Sequence, residues 1–194
     1  MKSVNIGTIA NIQAGFQARK GVKMDKVGSH KLVQSKDINH GFTYSELSSF
    51  TPESGAKKYA IKTGDVLFQS RGSSHKAYNT KENMSNAIPS ASFFILSIKQ
   101  ADVLPEYIAW WFNQPKVQAK IQTMSCGTSI SFISKTTLSN LQIQIPEMSV
   151  QKKIVNIVNL SRKEQELLKS LTIKRAKLVS ALLNKQINPS KEIK

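Results

Sequence analysis

The chain has 194 residues, 40% of them hydrophobic and 7% aromatic, so it can bury a core and form one domain of ordinary size with an appended element. Lys and Arg outnumber Asp and Glu by 28 to 12, and the net charge of +16 favours a polyanionic partner, most often nucleic acid. The single cysteine, Cys126, excludes an intramolecular disulfide, and the chain has neither an apolar leader nor a membrane-spanning run, so we expect a cytoplasmic protein without a membrane partner.

The basic residues are spread along the chain. Residues 1–99 hold 14 basic and 6 acidic residues, and residues 100–194 hold the same numbers. No run of Lys or Arg is long enough for a disordered nucleic-acid-binding arm. The alternative is that the charge serves solubility alone.

The first hundred residues favour strands, because short apolar runs alternate with Gly, Ser, Asn, Asp and Lys. The predicted strands are Lys31–Gln34, Lys58–Ile61, Asp65–Gln69 and Ala91–Ile98. A tight turn over residues 62–65 joins two of them, with Gly64 at a positive φ. We therefore expect a β-rich body.

From Leu104 onward the pattern favours short helices. Pro105 followed by Glu106 starts one helix, and Pro115 separates it from a second over residues 116–124. Three further elements follow: a small-residue loop at 125–131, a helical turn capped by Ser134, and a strand over Leu141–Ile145 that Pro146 ends.

A long amphipathic helix is predicted from Val150 to Ile187, with Ser149 as its N-cap, because this stretch has neither Pro nor Gly. Its candidate dimerisation residues share a three-and-four spacing that Arg175 interrupts; they are Leu167, Leu168, Leu171, Leu178 and Leu182. Residues 160–187 would extend about 40 Å at 1.5 Å per residue, too far for the stripe to be buried on a small body. We expect a helix of another chain to cover it; the alternative is that the helix folds back on its own domain.

No catalytic motif is present. His30, His40 and His75 lack metal-ligand spacing, no phosphate-binding or hydrolase motif occurs, and no acidic pair indicates a two-metal nuclease. An active site assembled from distant residues remains the alternative.

The segment that follows the strand over residues 65–69 is the strongest candidate for a DNA contact. The guanidinium of Arg71 suits phosphate or a guanine edge, and Gly72 allows close backbone approach. The candidate DNA-binding residues are Arg71, Ser73, Ser74, His75 and Lys76, with Arg19, Lys20, Lys36, Thr128 and Ser129 nearby. The alternative is a solvated connection between strands.

Taken in order, several segments resemble the specificity subunit of type I restriction-modification systems. The most specific is Ile145-Pro146 followed by Gln151-Lys152-Lys153-Ile154-Val155 and the long helix. The others are Ile6–Gly15, Tyr59–Phe68 with its Gly-Asp-Val-Leu turn, and Ile133–Leu138.

This resemblance implies an α+β fold: a β-rich target recognition domain with a few short helices, and a long C-terminal helix that pairs with a second chain. The expected boundaries are residues 1–146 for the recognition domain, 147–187 for the helical spacer and 188–194 for a polar tail. Family members hold two such units in tandem, and their spacers pair antiparallel. One unit here implies a half-subunit with a single recognition domain.

The resemblance also implies the partners. They are double-stranded DNA, adenine methyltransferase (modification) subunits that bind S-adenosylmethionine, and restriction subunits that use ATP and Mg²⁺. The specificity subunit itself is expected to be non-catalytic and to bind no cofactor.

Three questions stay open from the sequence. The helix could pair with a second copy, giving inverted half-sites at a fixed spacing, or with a different half-subunit. The chain could instead be an unselective nucleic-acid-binding module, RNA-binding included, or a basic structural adaptor. Neither the recognised bases nor the spacer length can be read from these residues.

Overall fold

The computed structural model describes residues 2–18, 21–38, 44–52, 55–72, 74–80, 84–127 and 131–187. The chain divides by its internal contacts into two compact units, residues 1–152 and 153–194. The first is rich in strands, and in the second residues 153–187 continue a long helix. The predicted α+β fold is confirmed.

The strands are short and lie mostly before residue 100. They are β1 (Lys2–Asn5), β2 (Ala10–Ala14), β3 (His30–Val33), β4 (Ser48–Phe50), β5 (Val66–Gln69), β6 (Ala77–Asn79), β7 (Ala87–Pro89), β8 (Phe93–Ile98) and β9 (Gln142–Ile145). The helices are α1 (Ile6–Ile9), α2 (Ser35–Ile38), α3 (Pro105–Phe112), α4 (Pro115–Met124), α5 (Lys135–Ser139) and α6 (Met148–Ile187). Single 3₁₀ turns lie at Tyr44–Glu46 and Ala56–Tyr59.

Among the described residues the strands form three sheets. The largest has the order β2-β8-β5-β6, and all its neighbours are antiparallel. A second has the order β4-β3-β7, with β3 parallel to β7. In the third, β1 pairs antiparallel with β9, which places Lys2 opposite Ile145. The first strand of the chain is therefore paired with the strand that precedes α6.

Strand β5 is buried on both of its faces. Leu67 packs with Phe93 and Ile95 in one core cluster. Phe68 points the other way, and its ring centroid lies 4.9 Å from that of Phe112 in α3. Because all four β5 residues are buried, the segment that leaves β5 starts from a fixed position.

The predicted turn at residues 62–65 is present, and a buried carboxylate holds it. Gly64 has a φ of +87°, which favours glycine. Asp65 accepts hydrogen bonds from the Lys62 amide at 2.8 Å and from the Ser97 hydroxyl at 2.7 Å. This turn sets the start of β5 against β8.

Two local predictions are wrong. Residues 58–61 do not form a strand. Lys58 and Tyr59 belong to the 3₁₀ turn Ala56–Tyr59, which begins after Gly55 at a φ of +86°. Ser149 is not an N-cap, because α6 already begins at Met148 and the Glu147 carbonyl accepts from the amides of Val150 and Gln151.

Gln151 ties the first turn of α6 to the first unit. Its side chain is fully buried. The amide nitrogen donates to the carbonyls of Asp102 at 2.8 Å and Pro146 at 2.9 Å, and the amide oxygen accepts from the Leu104 amide at 2.9 Å. The division between the units therefore falls after Lys152, six residues beyond the end of the predicted recognition domain.

We predict that Gln151→Ala lowers the free energy of unfolding by about 2 kcal/mol, because it removes the side-chain partner of three backbone groups, one buried and two partly buried. Urea denaturation followed by circular dichroism measures the change. Gln142→Ala, at an exposed position of β9, is the matched control and should alter stability by less than about 0.5 kcal/mol. Equal unfolding midpoints for the two variants would contradict this role for Gln151.

Candidate nucleic-acid interface

The loop between β5 and β6, residues 70–76, presents basic groups on a short, closed connection. The side chains of Arg71 and Lys76 are exposed, and Ser74 is half-buried. The Gln69 amide donates to the Lys76 carbonyl at 2.9 Å, which closes the loop at its base. Two cations are thus displayed on a tightly constrained backbone.

A second segment pairs with this β5–β6 loop through its backbone. The Gly72 amide donates to the Ser131 carbonyl at 3.0 Å, and the Ile133 amide donates to the Ser70 carbonyl at 3.0 Å. Together these bonds place Arg71 opposite Phe132 as an isolated antiparallel bridge. The backbone of Arg71 is therefore fixed by main-chain pairing, which limits the positions that its side chain can reach.

Gly72 is required for a steric reason. Its φ is +129°, and a Cβ at this position would lie 2.6 Å from Nε2 of Gln69. That same Nε2 donates to the Arg71 carbonyl at 3.1 Å. A larger residue would push away the side chain that holds the Arg71 peptide.

His75 does not face outward, which corrects its assignment as a DNA contact. Its side chain is 1% exposed and stacks on Phe68, with 9° between the ring planes. Nδ1 lies 3.0 Å from the Gln69 carbonyl, and Nε2 lies 3.1 Å from the Ser131 hydroxyl and 2.9 Å from the Ser125 hydroxyl. His75 thus links the β5–β6 loop to Ser131, in the segment that pairs with it, and to Ser125, which directly follows α4.

These partners define the protonation state of His75. A carbonyl can only accept, so Nδ1 carries the proton and donates to Gln69, which leaves Nε2 to accept from a serine hydroxyl. Burial lowers the pKa of His75, and the hydrogen bond to the Gln69 carbonyl opposes that shift in part. The neutral imidazole is therefore the form that the folded protein favours.

Phe132 is a candidate contact that sequence reasoning missed. Its side chain is 41% exposed although it is a large aromatic group. Its backbone pairs with Cys126 through two hydrogen bonds, at 2.8 and 2.9 Å, and with Arg71 as described above. The signal available in the sequence was an aromatic residue directly after the serine-rich run 125–131.

The remaining predicted residues are not all brought together. Lys36 is exposed on α2, which follows β3 of the second sheet. The other predicted contacts lie outside the residues that the structure describes; they are Arg19, Lys20, Ser73, Thr128 and Ser129. Their part in the interface stays a prediction.

The predicted dimerisation stripe lies on the surface of α6. Its leucines are between 55% and 63% exposed; they are Leu167, Leu168, Leu171, Leu178 and Leu182. Their part in dimerisation stays a prediction.

Two kinds of feature are absent from the residues that the structure describes. No group of three or more His, Cys, Asp or Glu side chains there could hold a metal ion. None of the helices within those ranges is both long and apolar enough to cross a membrane.

A β-rich body with a constrained basic loop, followed by a long helix with exposed leucines, is the architecture of a macromolecular recognition module. The model of the type I restriction modification DNA specificity domain matches residues 1–174, and the chain belongs to this family.

Individual relatives agree with this membership. The HindI type I restriction enzyme specificity subunit of Haemophilus influenzae is 27% identical over 124 residues, which are 62% of this chain and 27% of that protein. The fold is similar to that of the type I restriction-modification S subunit from M. genitalium, with a TM-score of 0.64 and 16% identity, over 98% of this chain and 46% of that one. It is also similar to the HsdS subunit from Thermoanaerobacter tengcongensis, with a TM-score of 0.61 and 15% identity, over 95% and 44%. The chain thus spans less than half the length of these relatives.

We predict that acid destabilises the protein through His75. The folded state holds the His75 pKa below its ordinary value of 6.5, so between that value and the lower folded pKa the unfolded chain binds more protons. The free energy of unfolding should therefore fall as the pH is lowered below about 6.5. Urea denaturation at a series of pH values measures this dependence.

His75→Gln should remove part of this pH dependence and also lower stability at neutral pH. His30→Gln is the matched control, because it removes a partly exposed histidine and leaves His75 in place. An unchanged pH dependence in His75→Gln would contradict the prediction.

Proposed function

We propose that this chain is a DNA sequence-specificity subunit that reads one half of a bipartite duplex target. Family membership supports the DNA-recognition role. The observation that carries the assignment of the interface is the β5–β6 loop, in which exposed Arg71 and Lys76 stand on a backbone fixed by Ser131, Ile133 and the buried His75. Basic residues on a backbone held by hydrogen bonds suit sequence reading, because little backbone entropy is lost when they bind.

Within this proposal the residues divide by chemistry. Arg71 presents a planar guanidinium that can bond two acceptors of a guanine in the major groove. Phe132, beside it, offers an apolar surface to a thymine methyl group. Lys76 and Lys36 are point charges suited to phosphates, which position a protein on DNA without reading bases.

The catalytic steps are proposed to belong to partner subunits. Modification subunits would bind S-adenosylmethionine and methylate adenine, and restriction subunits would use ATP and Mg²⁺. This chain would bind none of these cofactors and would select the DNA sequence on which the partner subunits act. A cytoplasmic location belongs to the same proposal, because the DNA and these partners are found there.

The exposed stripe of α6 is proposed to form a coiled coil with a second helix. That helix comes from another copy of the chain or from a different half-subunit. With two copies, the two-fold symmetry would require two inverted half-sites at a fixed distance.

An unselective nucleic-acid binder is the second candidate, and the even spread of charge favours it. The two halves of the chain carry the same excess of basic residues, so the charge is not confined to one segment of the sequence. Binding of that kind would be steeply salt-dependent and similar on every DNA or RNA sequence.

Affinity purification of the tagged chain from its native cell lysate, followed by mass spectrometry, tests the proposal. An adenine methyltransferase subunit in stoichiometric amount would support it. Recovery of RNA-bound proteins without a methyltransferase would favour the unselective binder and overturn the proposal.

We predict that Arg71→Ala weakens binding to the selected target by roughly 1–3 kcal/mol and leaves binding to unrelated DNA nearly unchanged. The target is first selected from a random duplex library, and fluorescence anisotropy at fixed salt measures both affinities. Arg162→Ala removes an equal charge from α6 and is the matched control. An equal loss on both DNAs would reassign Arg71 to a phosphate contact, and no loss on either would exclude this loop.

We predict that Phe132→Ala weakens target binding by about 1 kcal/mol, because an apolar contact near a base edge is lost. Val27→Ala, which shortens an apolar side chain that is 91% exposed, is the control.

Targets in which uracil replaces thymine at single positions identify the contact. If Phe132 meets a thymine methyl, one such replacement weakens the wild-type protein and not Phe132→Ala. Equal sensitivity of the two proteins at every position would contradict this contact.

A further inference from the structure

The turn that joins β7 to β8, residues 90–92, is hydrogen-bonded to the ends of two strands that belong to different sheets. The Ser90 amide donates to the carbonyl of Val33, the last residue of β3, at 2.9 Å. The amides of Ser70 and Arg71, which directly follow β5, donate to the Ser92 carbonyl at 2.8 and 3.3 Å. The turn is therefore in backbone contact with β3 on one side and with the start of the β5–β6 loop on the other.

Strand β2 ends at the same turn. The Gly15 amide donates to the Phe93 carbonyl at 2.8 Å, and the Phe16 amide donates to the Pro89 carbonyl at 2.7 Å. A Cβ on Gly15 would lie 2.7 Å from that Pro89 oxygen, so the two backbones pack directly on each other. The ends of β2, β3 and β5 thus meet at one place, which neither sheet alone would bring together.

Each of these three strands continues into a segment that holds sequence-predicted DNA-binding residues. Strand β3 is followed by α2 with exposed Lys36, and β5 is followed by exposed Arg71. Strand β2 is followed by exposed Gln17, which precedes Arg19 and Lys20 in the sequence. Candidate contacts that are distant in sequence therefore leave the body around one turn.

The stretches that meet at the turn are basic. They are residues 15–18, 34–36, 70–76 and 89–93, and their sequences contain Lys36, Arg71 and Lys76 but neither Asp nor Glu. Asp37 follows directly on α2, and its carboxylate accepts from the Gln34 amide at 2.7 Å. That carboxylate is bound to the backbone of its own segment, so the charge offered to a ligand is positive.

The turn itself is small and closed. The Phe93 amide donates to the Ser90 carbonyl at 3.1 Å. Ser90, Ala91 and Ser92 are each half-buried, so their short side chains reach the surface without covering it. Short side chains let a large ligand approach the backbone, and a serine hydroxyl can donate a hydrogen bond to a phosphate oxygen.

We infer that this turn lies in the middle of the DNA-contact surface, between Arg71 and Lys36, and that Ser90 and Ser92 contact phosphates of the duplex. A duplex presents rows of phosphates, so it can meet cations on both sides of the turn at once. The inference rests on the proposed function and extends its interface from one loop to the shared ends of three strands. We refer to Lys36, Arg71, Ser90, Ala91 and Ser92 together as the strand-end surface.

Insertion of a negative charge tests this surface. Ala91→Glu should weaken binding of the selected target and of unrelated duplexes at least tenfold, because a carboxylate would face the phosphates. Fluorescence anisotropy at fixed salt measures both affinities. Ala101→Glu adds the same charge at an exposed turn beyond the other end of β8, roughly 17 Å away along the strand, and should weaken binding less than about threefold.

A lysine variant tests the surface without altering the turn. Lys36→Ala should lower the slope of log affinity against log salt by about one, because one phosphate contact is lost. Lys62→Ala removes an exposed lysine from the turn that precedes β5, at the opposite end of that strand, and should leave the slope unchanged. Urea unfolding midpoints equal to that of the wild type verify that each variant is folded.

The outcomes separate the inference from the proposed function. If the wild type selects a target that Ala91→Glu and Ala101→Glu bind equally well, the strand-end surface is wrong and the proposed function stands. Equal salt slopes for Lys36→Ala and Lys62→Ala would likewise contradict the surface. If Ala91→Glu alone loses binding but the wild type binds every duplex equally, the surface stands and the specificity-subunit proposal is overturned.

Discussion

The arrangement of several segments in the first unit depends on one buried amide. The side chain of Gln151 hydrogen-bonds to segments that are distant from one another in sequence. Its side chain bonds the loop at Asp102 and Leu104 and the Pro146 carbonyl that follows β9. Strand β9 in turn pairs with β1, so the beginning of the chain depends on the same arrangement. A buried amide with both ends satisfied specifies one geometry, since any displacement would leave a polar group without a partner. The start of α6 is thereby fixed by polar bonds and not by apolar burial alone.

In the candidate interface a buried imidazole, that of His75, also hydrogen-bonds to segments that are distant in sequence. His75 of the β5–β6 loop points inward, and its side chain bonds to Gln69, Ser125 and Ser131 beneath the outward-facing Arg71. Asn113 constrains the other end of the loop. Its side-chain amide accepts a hydrogen bond from the Ala77 amide and donates one to the Ala77 carbonyl. The loop is thus constrained at several points by side chains that need not contact DNA themselves. Rigid support beneath a variable contact surface lets residues that read bases change without disturbing the fold.

Sequence reasoning succeeded where the signal is local. The turn at Gly64 and the capped helical turn at Ser134, whose hydroxyl accepts from the Thr137 amide at 3.0 Å, each depend on a few adjacent residues. It failed where partners are remote: β1 was not recognised as a strand, and its pairing joins Lys2 to Ile145. The inward direction of His75 was missed for the same reason, because Ser125 and Ser131 lie 50 and 56 residues away. Composition marks a polar loop, but only tertiary contacts decide which of its side chains are buried.

The charge of α6 opposes the association of two copies of this helix. Nine basic and two acidic residues lie on this helix, so two copies repel each other over most of their surface. Leucine contacts are non-directional and would tolerate several registers. Salt would weaken the general repulsion and the DNA contacts alike, so dimerisation and DNA binding should respond to ionic strength in opposite directions. In the proposed assembly the excess of basic residues would therefore favour DNA binding and oppose the pairing of two helices.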